Sequence, residues 1–146
     1  MLRKEVIVDT NALLIPGEFG VDIFGELEKL GYLHVIVPRM VLNELDQLRQ
    51  RSGLKGKERI AAKVGYSLIR KYTATSEQER RSLRCTVSIE EFEEEGVHDT
   101  DEMIAALALK RKTAVLTNDE ELRSKLSQAG IVTVYLRGRN RLEESE

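Results

Sequence analysis

Cysteine is nearly missing from this chain. Cys85 is the single one, so no internal disulfide can close and no Cys-x-x-Cys pair exists to hold zinc. A reducing, cytoplasmic setting is expected. Aromatic residues are also scarce, at 5% with no Trp, and most fall within helical or strand patterns, which leaves few rings for an exposed stacking surface. No charge sign dominates: 23 Lys and Arg stand against 25 Asp and Glu, a net charge of -2. The molecule as a whole is therefore not polycationic, and any polyanion site must come from uneven placement of charge. No apolar run approaches the ~20 residues of a membrane span. The opening Met-Leu-Arg-Lys leads into Glu5-Val-Ile-Val-Asp9, too short and too acidic at its end for a signal peptide. No membrane partner is expected.

What is present suits one domain over residues 1–146. Hydrophobic residues make up 41% of the chain, enough for a real core. Short runs rich in β-branched residues, Val6-Ile-Val8, His34-Val-Ile-Val37, Ala114-Val-Leu116 and Ile131-Val-Thr-Val-Tyr-Leu136, lack strict alternation. That is the pattern of parallel strands covered on both faces. Cys85-Thr-Val-Ser-Ile89 is a fifth candidate. Helical spacings lie between them: Ile23, Leu27 and Leu30 before Gly31; Val41, Leu45 and Leu48 after Pro38; Ile60, Val64 and Leu68; Ile104, Leu107 and Ala108; Leu122 and Leu126. Alternating strands and helices predict an α/β protein, a three-layer α/β/α sandwich around a mainly parallel sheet of about four to five strands. The polar tail, residues 137–146, is expected to fray.

Ligands of open α/β sheets gather beyond the carboxyl ends of the strands. Asp9 follows Val6-Ile-Val8 there, and Asp119 follows Ala114-Val-Leu116. Alone, either aspartate reads equally well as a helix cap or turn residue. Asn118 and Glu121 have capping-box spacing, which would free Asp119 from that job. Asp99 and Glu102 have the same spacing, which leaves Asp101 surplus in its first helical turn, where a carboxylate also gains from the helix dipole. Asp99 could instead take the role of Asp101. Glu44 falls at the edge of the Val41, Leu45, Leu48 stripe, and a salt bridge to a nearby Arg would also draw it inward.

Four clustered carboxylates repel one another, and one would hold a proton unless a cation intervened. Oxygen-only ligands favour Mg²⁺ or Mn²⁺ over zinc. Such a site activates water and stabilises charge on a phosphate.

The ordered set Val-Ile-Val-Asp9-Thr10-Asn11, Val-Pro38 through Val41 to Glu44-Leu45, Asp101-x-x-Ile104-x-x-Leu107-Ala108 and Leu-Thr117-Asn118-Asp119-x-x-Leu122 resembles the PIN domain (PilT N-terminus) of ribonucleases. The resemblance spans nearly the whole chain. Asn11-Ala-Leu-Leu-Ile-Pro16 through Gly20-Val-Asp-Ile-Phe24 is similar to archaeal relatives of the eukaryotic ribosomal-RNA processing endonucleases. The resemblance implies metal-dependent endonuclease activity on RNA, with Asp9, Glu44, Asp101 and Asp119 as catalytic and metal-binding acids. Thr10, Asn11, Thr117 and Asn118 would orient them. Ribosomal precursor RNA is the implied substrate. A toxin-type PIN ribonuclease with an antitoxin partner is the alternative, as is a non-catalytic RNA-binding scaffold. A homodimer is left open.

A basic stretch follows the segment bearing Glu44: Arg49, Arg51, Lys55 and Lys57, continued by Arg59, Lys63, Arg70 and Lys71. Further sets are Arg80, Arg81, Arg84 and Arg137, Arg139, Arg141, while acids concentrate at Glu90-Glu91, Glu93-Glu-Glu95 and the tail. This segregation suits phosphate-backbone binding, with Arg49, Arg51, Lys55 and Lys57 as candidate RNA contacts, although a solvated helix face would look the same. Gly53-x-x-Gly56 is not supported as a KH-type clamp by the order of elements around it, and the P-loop spacing is missing. A receiver or haloacid-dehalogenase reading would need a second acid after the first strand, where Thr10 and Asn11 stand.

Overall fold

The computed structural model describes residues 4–51, 56–73, 76–81, 83 and 85–145. Lys55, Gly53 and Arg84 lie outside them. The strands are β1 (Lys4–Val8), β2 (Tyr32–Pro38), β3 (Thr86–Glu90), β4 (Ala114–Leu116), β5 (Thr133–Arg137) and β6 (Arg141–Ser145). The helices are α1 (Ile15–Phe19), α2 (Ile23–Lys29), α3 (Arg39–Gln50), α4 (Gly56–Thr73), α5 (Glu77–Arg80), α6 (Thr100–Arg111) and α7 (Glu120–Gln128). A 3-10 turn, Ala12–Leu14, follows β1.

The strands form one sheet in the order β3-β2-β1-β4-β5-β6, parallel except for β6. Val6, Ile7, Val8 and Val35, Ile36, Val37 are all fully buried in succession, so side chains pointing to both faces are covered, as the unalternating runs predict. From β1 the chain steps outward to β2 and β3, then returns to place β4 on the other side of β1. β1 and β4 are therefore the neighbours at which the strand order reverses, where open α/β sheets form a crevice. Val8 pairs with Leu116, which puts Asp9 and the Thr117–Asp119 turn side by side.

Three expectations need correction. The sheet has six strands, because the tail does not fray: β6 folds back antiparallel on β5, pairing Leu136 with Leu142. Leu142 is buried in the core, and its N–H donates to Glu26 on α2 at 3.2 Å. A polar edge strand with one inward side chain carries almost no hydropathy signal.

α4 is helical, but Ile60 and Val64 point outward, 58% and 37% exposed. Its inner face is Ala61, Ala62, Gly65, Ile69 and Tyr72. Small residues line it because the contact is close. A Cβ on Gly65 would lie 2.2 Å from the Leu13 carbonyl oxygen, and one on Gly17 would lie 2.5 Å from Ala61 Cα. At the far end, Tyr72 stacks on Phe24 with ring centroids 4.3 Å apart.

The third correction is at α7. Asp119, not Asn118, is its N-cap, accepting from Leu122 N at 3.1 Å. Asn118 faces β5 and accepts from Leu136 N at 2.7 Å.

Candidate active site

One open cleft of about 430 Å³ at the carboxyl ends of the strands is lined by Asp9, Glu44, Asp101 and Asp119, with Thr10, Asn11, Leu48, Asp99 and Thr100. The four acids arrive from different places in the chain. Asp9 leaves β1 and Asp119 leaves the adjacent β4. Glu44 projects from α3, whose inner face is Val41, Leu42 and Leu45. Asp101 stands in the first turn of α6, where the expectation at Asp99 holds: Asp99 caps the helix, accepting from Asp101 N at 2.7 Å and from Glu102 N at 3.3 Å. Asp101 has no capping duty and is exposed in the cleft.

Asp9 is the anchor of the site, only 4% exposed. One oxygen accepts from Ala12 N at 2.7 Å, and the other accepts from the Thr117 hydroxyl. Its carboxyl is raised to about 6: burial is the main cause, the bonds from Thr117 and Ala12 N oppose it, and the charges of Asp101 and Asp119 add to it. The Asp101 carboxyl is also raised, first by the partial loss of water around it within the cleft and then by Asp119, Asp99 and Glu44, with Lys125 opposing. Lys125, on α7, is a cation near the site that no sequence spacing singles out, since it meets Asp101 only through the fold.

The neighbours named by sequence divide by role. Thr10 donates to Glu44 Oε1 at 3.2 Å. Thr117 is fully buried; besides holding Asp9, its oxygen accepts from Asp119 N at 3.1 Å. Asn11 lines the cleft with its side chain exposed and makes no cap bond. Asn118 braces β5, as described above. Of the basic candidates, Arg49 is committed within the fold: it pairs with Asp46 at 2.7 Å and stacks on Tyr66, 4.0 Å from the ring centroid. Arg51 and Lys57 are exposed. In the other basic sets, Arg137 and Arg141 both pair with Glu143, at 3.7 and 2.9 Å.

This chain and its topology have counterparts among known proteins. Residues 6–139 match the profile of a family described as a PIN like domain. The chain belongs to the PIN-like domain family. A curated relative, Ribonuclease VapC9 of Archaeoglobus fulgidus, is 29% identical over 131 residues, covering 90% of this chain and 82% of its own length. Among solved structures, the PIN domain endonuclease Utp24 superposes with a TM-score of 0.68 at 20% identity, covering 98% of this chain and 92% of that one. A domain of a functionally unknown protein from Methanocaldococcus jannaschii gives 0.57 at 22% identity, covering 98% and 95%. At these identities the two structures establish the fold. This PIN-like domain carries a six-stranded, mostly parallel α/β sheet with the acidic cleft at its strand-order reversal.

The donors in the cleft fit a hard divalent cation. They are oxygens only, and Asp9 and Asp101 are raised first by burial and then by the charges of the neighbouring acids. Asp119 gives one oxygen to its cap bond, while the Asp101 carboxylate takes no hydrogen bond among the described residues. Among the described residues no three His, Cys, Asp or Glu side chains stand, as placed, close enough together to hold a metal ion. The cleft is open to solvent.

Proposed function

We propose that this PIN-like domain is a divalent-metal-dependent endoribonuclease, with Mg²⁺ or Mn²⁺ held by Asp9, Glu44, Asp101 and Asp119. The observation that carries this reading is the buried Asp9 carboxylate sharing one cleft with Glu44, Asp101 and Asp119, its titration raised first by burial and then further by the charges of Asp101 and Asp119. Burying a carboxylate among like charges costs stability at neutral pH, and carboxylates perturbed in this way cluster at functional sites. When bound, the ion acidifies water and offsets the charge gathering on a phosphodiester.

The chain's own residues prepare that chemistry. Thr117 and Ala12 N fix both oxygens of Asp9, so its remaining lone pairs have a set direction. Thr10 does the same for Glu44, and the cap bond does so for Asp119. Lys125 tempers the negative field at Asp101, which lowers the barrier to an incoming phosphate.

RNA as substrate is supported by the relative named Ribonuclease VapC9. A role in processing ribosomal precursors is supported by the resemblance of residues 11–24 to archaeal relatives of the processing endonucleases, and a reducing, cytoplasmic setting by the single cysteine.

The test is cleavage of structured and single-stranded RNAs with Mg²⁺ or Mn²⁺, with and without EDTA, for the parent, Asp9→Asn and Asp101→Asn. Activity should require the metal and fall about a hundredfold in either variant, the upper end of the loss seen when even a ligand's supporting partner is removed. Products should lack 2′,3′-cyclic phosphates, because water attacks in place of the sugar hydroxyl. Cleavage that persists in EDTA, or an Asp9→Asn variant as active as the parent, would defeat the reading. Specific cutting of a precursor ribosomal RNA at one junction would separate processing from general toxin-type degradation.

A further inference from the structure

The acidic cleft continues into a smaller groove of about 270 Å³. Asn11 and Asp119 line both. Beyond them the groove is bounded by Leu14, Glu18 and Phe19 from the 3-10 turn and α1, and by Asn118 after β4. Its volume lies below the roughly 300–1,000 Å³ of sites that enclose a whole small molecule, and suits one planar ring system.

Two features of this groove are unusual for this chain. All seven aromatic residues lie among the described residues, and Phe19 alone is exposed, at 38%. Beside it in sequence, Glu18 is half-buried and has no hydrogen-bond or ion-pair partner among the described residues. An apolar ring and an unsatisfied carboxylate next to a proposed phosphate site exclude a second phosphate and favour a base. The ring supplies a stacking face, worth about a tenfold change in affinity or more. The carboxylate supplies two adjacent acceptors. Asn118 has its carbonyl oxygen occupied by Leu136 N, so it offers its amide hydrogens.

We propose that this groove is a nucleobase subsite, and that it selects guanine in the nucleotide adjoining the scissile phosphate of single-stranded RNA. Guanine presents two neighbouring donors, N1–H and N2–H, with the O6 acceptor beside them. Of the groove's lining residues, Glu18 would accept from the two donors and the Asn118 amide would donate to O6. Uracil, cytosine and adenine each lack the adjacent pair of donors. Phe19 is the stacking platform and Glu18 the specificity-determining residue. The assignment rests on the nuclease reading for the position of the scissile phosphate.

The experiment compares short oligouridylates carrying no substitution, or a single guanosine, adenosine or cytidine. Binding is measured with Ca²⁺ and cleavage with Mn²⁺. The parent should bind the guanosine RNA about tenfold more tightly than plain oligouridylate and cut beside the guanosine. Phe19→Ala should weaken binding of the guanosine RNA about tenfold, and Phe19→Tyr should restore it. Glu18→Gln should remove the preference while leaving affinity for plain oligouridylate unchanged. Both positions lie at the surface, and a thermal melt confirms that each variant is folded. A parent that binds the four RNAs alike, or a Phe19→Ala variant that binds as tightly as the parent, overturns the subsite. Cleavage without base preference removes the subsite and keeps the nuclease. Guanosine-selective binding without cleavage does the reverse.

Discussion

The Thr117 hydroxyl donates to the Asp9 carboxylate, joining residues 108 positions apart in the chain. The bond crosses from β4 to β1 at the reversal of strand order, and the same oxygen accepts from Asp119 N at 3.1 Å. One buried threonine thus sets the position of two cleft acids. Thr117→Val keeps the shape and removes both bonds. It should cost about 1–3 kcal/mol of stability at neutral pH, the price of stranding a buried polar group. It should also move the Asp9 titration above 6, since the bond to Thr117 holds it down. Thr117→Ser should stay close to the parent in both. Urea unfolding and carboxyl-carbon NMR read these outcomes; a Val variant unchanged in both measurements would show that the hydroxyl does not position Asp9.

Stability without metal should fall as pH rises, and Asp9 sets the window. Its carboxyl titrates at about 6 in the fold against 3.8 for an ordinary aspartate. A group raised in the folded state adds stability that is full below the unfolded value and is lost as pH climbs through the folded one. The loss by pH 8 is of order 3 kcal/mol. In EDTA, Asp9→Asn should therefore melt above the parent at pH 8 and level with it at pH 4. Mn²⁺ should raise the parent's melting temperature at pH 8 and leave Asp9→Asn nearly unmoved. Parallel pH profiles for the two proteins in EDTA would contradict this account.

The parts of the fold that were legible in sequence are those where local pattern and tertiary role coincide. Val6-Ile-Val8 and Val35-Ile-Val37 are apolar on every residue because both faces are covered. Asp99 caps α6 where its spacing to Glu102 places it. Legibility failed where a neighbour decides. Asn118 has as good a capping side chain as Asp119, but β5 offers it the Leu136 N–H, and the cap shifts by one residue. The α4 interface is made of Ala61, Ala62 and Gly65, which hydropathy ranks below the outward Ile60 and Val64. Arg49 reads as a phosphate contact until Tyr66, far along α4, comes beneath its guanidinium.

That last contact separates two neighbouring cations experimentally. Arg49 ties α3 to α4 through Asp46 and Tyr66. Arg49→Ala should lower stability by about 1 kcal/mol and leave the salt dependence of RNA binding unchanged. Lys57 is exposed, with no ion pair among the described residues. Lys57→Ala should leave stability unchanged and reduce the slope of log affinity against log salt by about 0.7, the value for one single-strand phosphate. Binding titrations over a range of salt, beside urea unfolding, give both numbers. Equal slopes for Lys57→Ala and the parent would take Lys57 out of the RNA path.

The C-terminal strand supplies the sharpest contrast between a polar composition and a structural role. Arg-Leu-Glu-Glu-Ser carries a single apolar side chain, yet Leu142 is 4% exposed and sits in the core. Its N–H also meets Glu26, so β6 links the sheet edge to α2. A frayed tail would tolerate any change there. The paired strand should not: Leu142→Ala should cost about 2–4 kcal/mol, the range for emptying a buried leucine site. Glu26→Ala should cost less, about 1 kcal/mol, because Leu142 N can turn to water at the edge. Neither variant touches the acidic cleft, so cleavage per folded molecule should be unchanged while the urea midpoint falls. A Leu142→Ala protein that unfolds with the parent's midpoint would mean that β6 is not held against the core in solution.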